Sequence, residues 1–409
     1  METINNKLYL GGVLAEELIE KYASPLYVYE EDKIIEQYNK LKDAIVYPKK
    51  KLYYAAKANT NIEILKLLND EGSCIDAVSP EEIYLSKKAG FSSEEILFTG
   101  NNASEDDFKY CIENDILVNI GSLEQIEQYG KLNPNSKISI RINPDVGAGH
   151  HDHCITGGPN SKFGMYFDKI DKIKEVIEKY NLTVVGIHEH IGSGILDTSK
   201  FLLAMDVLLK VAKSFDNLEF IDFGGGIGVP YRPGEKQLDI EEFGKAISDK
   251  FNDFCSSYGK ELYLCLEPGR YIVAEAGFLL AKVVNKKSTP NHVFVGINTG
   301  FNHLIRPAMY GSYHHVLNAS NMDTREEEKL VVAGNVCESG DVFTQNEDGI
   351  EDRMMPKTKV GDVLAICNAG AYGFSMASNY NSRRLPVEVM VSKGEAKIIR
   401  ERQSLEDLL

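Results

Sequence analysis

Residues 52–60 read Leu-Tyr-Tyr-Ala-Ala-Lys-Ala-Asn-Thr, a short apolar and aromatic run that stops at Lys57. Its length and composition predict a buried strand. An ammonium resists leaving water, so a lysine at the end of such a strand needs relief. A solvent-seeking side chain, a carboxylate partner, or conversion of the amine to a Schiff base would each supply it. Downstream the pattern repeats. Further strands are predicted near 74–78, 96–99, 116–120, 137–142, 183–188, 218–223 and 262–267, with helical segments between them. Ser79-Pro80-Glu81-Glu82 and Ser122 with Gln125 read as helix starts of the capping-box type. Eight β/α units in this length predict a closed (β/α)8 TIM barrel. An open doubly wound sheet would place its glycine-rich turn after the first strand, whereas here it follows the seventh.

Beyond about residue 275 the rhythm changes to strands without long helices, at 278–284, 292–297, 329–336, 362–367, 386–391 and 395–399. The expected division is a barrel over 26–275, with 1–25 and 276–409 forming a C-terminal all-β barrel or sandwich domain. The 409 residues, 43% hydrophobic and 26% charged, are enough for two such cores. A net charge of −16 disfavours nucleic acid or an anionic membrane as partner. Seven scattered cysteines without a Cys-x-x-Cys predict reduced thiols and a cytoplasmic protein. Neither a signal peptide nor a membrane span is expected.

Barrel chemistry gathers at the C-terminal ends of the strands, and the unusual residues cluster there. Lys57, Asp76 with Ser79, and Arg141 close strands one, two and five. His188-Glu189-His190-Ile-Gly-Ser193, Asp222-Phe-Gly224-Gly225-Gly226 and Glu267-Pro268-Gly269-Arg270 close strands six to eight. The glycine run is either a permissive turn or a phosphate cradle. Glu267 and Arg270 are either a structural ion pair or a carboxylate that keeps a pyridine nitrogen protonated, beside an anion-binding guanidinium. His190 is either a core histidine or a flat surface for an aromatic ring. His150-His151-Asp152-His153 has metal-like spacing but sits among glycines without a ligand framework, so no metal is expected. In the β domain, Cys337-Glu338-Ser-Gly-Asp341 puts a thiol and two carboxylates on one turn. Arg306 and Tyr310, with Tyr372, offer a carboxylate fork and two phenols.

Together with Tyr54-Ala-Ala-Lys57-Ala-Asn59, Arg306-Pro-Ala-Met-Tyr310-Gly and Gly370-Ala-Tyr372-Gly-Phe-Ser-Met376, these motifs resemble the diaminopimelate decarboxylases. That family belongs to the alanine-racemase-like, fold-type III pyridoxal-phosphate enzymes, and the resemblance spans nearly the whole chain. It implies decarboxylation of meso-2,6-diaminopimelate to L-lysine, the last step of lysine biosynthesis, with pyridoxal 5'-phosphate bound to Lys57. It further implies cofactor contacts from His190, Ser193, Gly225, Gly226, Glu267, Pro268, Gly269, Arg270 and Tyr372. Cys337 is implied as proton donor, and Arg270, Arg306, Tyr310, Glu338 and Tyr372 as the substrate-binding set. A homodimer with shared sites is implied as well. Sister decarboxylases of ornithine, arginine or carboxynorspermidine are the nearest alternatives. A racemase would place arginine where Glu267 stands, and a cofactor-free aldolase would leave the second domain unused. Glu189 and Asn298 depart from residues common in the family.

Overall fold

A computed structural model describes residues 1–147 and 156–409, so His150–His153 and Cys154 lie outside the described residues. The chain forms two compact units, one of Gln37–Val229 with Lys236–Tyr271, the other of Met1–Glu36, Pro230–Glu235 and Ile272–Leu409.

The first unit is a closed barrel. Its strands run Lys50–Ala55, Cys74–Ala77, Ile96–Phe98, Leu117–Ile120, Lys137–Asn143, Thr183–His188, Phe220–Asp222 and Tyr263–Leu266. Every neighbouring pair is parallel, and Tyr263–Leu266 returns to pair with Lys50–Ala55. All the crossover helices but Ile170–Lys179 start on side-chain caps. Asn61, Ser79, Ser104, Ser122, Asp197 and Asp239 each accept a backbone N–H from the first turn. At Ser79 the expected reciprocal bond is displaced by one residue, since Glu82 accepts from Val78 N–H at 2.8 Å.

Side chains alternate across a strand, so residues two apart face the same way. Tyr53, Cys74, Leu97, Val185, Phe220 and Cys265 form one buried apolar cluster inside the barrel. Two positions further along, on the same face, stand Asp76, Asp222 and Glu267. The strand period thus stacks a charged layer on an apolar floor, at the end where the strands stop.

The second unit is a nine-stranded sheet. Its main path runs Arg353–Pro356, Glu327–Ala333, Val293–Ile297, Gly277–Ser288, Leu26–Glu30, Val387–Ser392 and Glu395–Arg400, and Val363–Ile366 joins Gly277–Ser288 to Val316–Asn318. Leu8, Leu10, Leu18, Leu26, Phe278 and Val389 are among the residues of its buried core. The sequence places Leu26–Glu30 with the barrel; the strand is instead hydrogen-bonded between Gly277–Ser288 and Val387–Ser392. Nothing local marks that choice, because a short apolar run ending in Glu30 suits either sheet. No helix among the described residues is long and apolar enough to cross a membrane.

Candidate active site

Lys57 lies on a 3-10 turn, Ala56–Ala58, immediately after the first barrel strand. Its Nζ is 2.8 Å from Oδ2 of Asp76, a carboxylate with no exposed surface. The Thr99 hydroxyl donates to the other Asp76 oxygen. Burial pushes the Asp76 carboxyl up, and the Glu267 charge adds to that, while Lys57 and Thr99 oppose both. Of the ways to relieve a strand-end ammonium, a carboxylate partner is built here, and the Lys57 side chain stays 35% exposed.

Glu267 does not form the ion pair suggested by its spacing from Arg270. Its Oε1 lies 3.1 Å from His188 Nε2, both side chains almost fully buried, though the contact is not aligned as a hydrogen bond. Burial alone would raise Glu267; His188, Lys57 and His190 outweigh it and hold the carboxyl at about 2. Asp222 shows the opposite balance. Burial and the Glu267 charge push it well above the usual carboxylate range, and its Oδ1 accepts Gly224 N–H at 2.8 Å. Donor atoms of His188, Asp222 and Glu267 lie within 4.8 Å of one another. Arg141 is buried in the same layer, stacked 4.5 Å over the Phe163 ring and lowered to about 10 by burial.

Arg270 instead directs Nε and Nη2 onto Ser193 Oγ, at 3.2 and 3.0 Å. Between these residues lies the glycine run. A Cβ at Gly225 would stand 2.0 Å from the Glu267 carbonyl oxygen, and one at Gly224 2.3 Å from that of Glu189. The turn after strand seven is therefore wedged between strands six and eight, where only glycine fits. Gly225 N–H donates to His190 Nδ1 at 3.0 Å, which leaves that ring its proton on Nε2. Burial, Arg141 and Lys57 likewise drive the His190 pKa well down. Pro268 accepts from Ala55 N–H at 3.1 Å, and a Cβ on Gly269 would meet those of Ala55 and Ala58 at 3.0 and 3.1 Å. The eighth strand's turn thus abuts the turn that carries Lys57.

This mouth fits a phosphorylated, aldehyde-bearing pyridine. Glycine backbone, a hydroxyl and a guanidinium suit a phosphate. An ionised buried carboxylate suits a pyridinium, and a half-exposed amine suits an aldehyde. The buried Arg141 Nη2, without a hydrogen-bond partner among the described residues, is the structural mark of that fit.

The remaining expected residues lie on the β unit. Cys337 is exposed, and its N–H donates to Asn381 Oδ1 at 2.7 Å. Of the two carboxylates on its turn, Asp341 is structural: it is buried and accepts N–H groups of Val336 and Phe301, both at 2.7 Å. Glu338 stays exposed. Arg306 is 2% exposed and begins a short helix, Arg306–Tyr310, closed by Gly311 at φ +59°. Tyr372 adopts φ +56° in a turn where a Cβ on Gly370 would lie 1.8 Å from the Val273 carbonyl oxygen. Both Tyr310 and Tyr372 are half-buried. Asn298 is a cross-strand tie, accepting from Ser24 Oγ and Lys282 N–H at 2.8 and 2.9 Å. Glu189 is buried, and burial pushes its carboxyl well up. From sequence alone, Asp76, Arg141, His188 and Asp222 stand at strand ends with no assigned role. The two-residue offset from the apolar layer is the signal that groups Asp76 and Asp222 with Glu267.

Two outcomes follow from this packing. Gly225→Ala is expected to destabilise the barrel by ~1–3 kcal/mol, by forcing the turn off Glu267, and to abolish any bound chromophore; a melt and an absorption spectrum check it. His188→Gln removes the largest of the influences that hold Glu267 ionised. In the native chain the Glu267 contribution to folding is complete above 4.5 and is lost as pH falls toward about 2. In the variant that loss is expected to begin at higher pH, visible as an acid limb shifted upward in a plot of Tm against pH.

The barrel, its mouth and the β unit together describe the pyridoxal-dependent decarboxylases, and a family model for the pyridoxal binding domain of that class matches residues 31–274. The diaminopimelate decarboxylase of Methanothermobacter thermautotrophicus is 46% identical, over 99% of this chain and 96% of the relative. That of Escherichia coli K12 is 38% identical, over 95% and 94%. The crystal structure of the M. jannaschii diaminopimelate decarboxylase with L-lysine superposes with a TM-score of 0.90 at 36% identity, covering 100% of this chain and 96% of that one. The chain belongs to the diaminopimelate decarboxylase family.

Proposed function

We propose that this protein decarboxylates meso-2,6-diaminopimelate to L-lysine and CO2, using pyridoxal 5'-phosphate. The observation that carries the reading is the Lys57–Asp76 pair set in one layer with an ionised Glu267. Near full-length identity to diaminopimelate decarboxylases favours that substrate over ornithine, arginine or carboxynorspermidine.

When bound, the cofactor would supply an aldehyde for the substrate amine and a ring that accepts the electron pair left at Cα as CO2 departs. Lys57, oriented by Asp76, is the amine that holds and recovers it. Ser193, Arg270 and the Gly225–Gly226 turn would hold the phosphate, with Pro268 and Gly269 shaping the turn after strand eight. Glu267 would keep a pyridine nitrogen protonated, and His190 would flank the ring. Cys337 returns a proton to Cα. Arg306 receives the carboxylate that remains on lysine, and Glu338 the distal ammonium, with Arg270, Tyr310 and Tyr372 completing the set. An unpaired charge-assisted contact costs about 1–3 kcal/mol, so each such group discriminates roughly tenfold to a hundredfold against a substrate lacking its partner.

The exposure of Cys337 on its own chain supports a homodimer in which that thiol serves the partner's site. The thiols support a cytoplasmic setting: Cys74, Cys111, Cys255, Cys265 and Cys367 are unpaired and buried. The purified protein should show a visible absorption band and release CO2 from meso-diaminopimelate. A colourless protein, or faster release from ornithine or arginine, refutes the reading.

A further inference from the structure

Arg306 is the bulkiest of the fully buried side chains, and neutral side chains of Tyr231, His314 and Ser312 are among the groups that hold its guanidinium. Nη1 donates to Tyr231 Oη at 2.9 Å and lies 3.1 Å from His314 Nε2, while Nη2 reaches Ser312 Oγ at 3.4 Å. His314 has no exposed surface, and its Nδ1 is 2.8 Å from the Cys367 carbonyl oxygen. A carbonyl can only accept, so Nδ1 carries the hydrogen; a guanidinium can only donate, so Nε2 presents its lone pair. The two contacts together define one neutral tautomer. The sheet enforces it: Val316 pairs with Ile366, Cys367 N–H donates to the His315 carbonyl at 2.8 Å, and Arg353 Nη1 donates to the His314 carbonyl at 2.7 Å. A carboxylate at this position would orient the guanidinium as well but would cancel its charge. A neutral histidine fixes the fork without itself cancelling the charge.

We propose that His314 is a positioning residue for the carboxylate of substrate and product, acting through Arg306 by accepting its Nη1–H. The proposal rests on the reading of Arg306 as the receptor of the carboxylate that stays on lysine. The three substitutions separate its parts. His314→Asn keeps a donor toward the Cys367 carbonyl but loses the acceptor; His314→Gln restores an acceptor near the Nε2 position; His314→Leu has neither.

The test uses the holoenzyme, with KM and kcat for meso-diaminopimelate and inhibition by L-lysine and by cadaverine, the same diamine without a carboxylate. For His314→Asn and His314→Leu, KM and the lysine inhibition constant should rise about tenfold or more. The cadaverine constant and kcat should move less than about threefold. His314→Gln should stay within about threefold of the native lysine constant. Equal weakening of lysine and cadaverine, a fall in kcat alone, or no rescue by glutamine overturns the proposal. If the leucine variant fails to fold, the asparagine and glutamine pair decides. Arg306→Leu is the control for the underlying reading: if it spares lysine, the Arg306 assignment fails. If it weakens lysine while His314→Asn does not, only the role of His314 fails.

Discussion

Lys57→Ala is expected to abolish turnover and every covalent attachment of cofactor while leaving the barrel folded. Borohydride reduction of the native holoenzyme, followed by peptide mapping, should place the added mass on the peptide that contains Lys57. In the variant no peptide should carry it. Folding should survive because Asp76 has a way out of its isolation. Its carboxyl is already pushed up by burial and by Glu267, and without Lys57 it rises further and becomes neutral, still bonded to Thr99. The stability loss should be about 1–2 kcal/mol at neutral pH, below the ~3–5 of a fully buried broken pair, because the Lys57 side chain is 35% exposed. Cofactor mass on another lysine, or residual turnover in the variant, refutes the assignment.

Cys337→Ala should produce a different defect. The thiol is exposed, its backbone is pinned by Asn381, and its turn is built on Asp341, so removing one sulfur disturbs no packed neighbour. The melting temperature and the absorption band should be native. Loss of a positioned proton donor should slow turnover by about 10²–10⁴. Mixing this variant with Lys57→Ala under conditions that exchange subunits tests whether the site is shared. Each mixed dimer then contains one site with both residues intact, and about a quarter of native activity should return. No recovery after verified exchange means that the thiol serves its own chain; unchanged turnover in Cys337→Ala removes it from the reaction.

Much of this protein follows from its sequence alone. The eight short apolar runs spaced by capped helices determine the barrel, because strand and helix periods and caps are local properties. The glycines after strand seven, and Lys57 at the end of strand one, are legible for the same reason. The pairing of charges is not. Glu267 and Arg270 are three residues apart, yet Glu267 contacts His188 and Arg270 contacts Ser193, partners 79 and 77 positions away. Which partner a buried charge takes depends on which strand ends closure brings side by side, and that is a property of the barrel rather than of any segment. The same holds for Leu26–Glu30, whose composition suits either sheet, and for His314, whose tautomer is set by a carbonyl 53 residues away. Local chemistry decided which groups this chain carries; burial and long-range pairing decided which of them stay ionised and what they face.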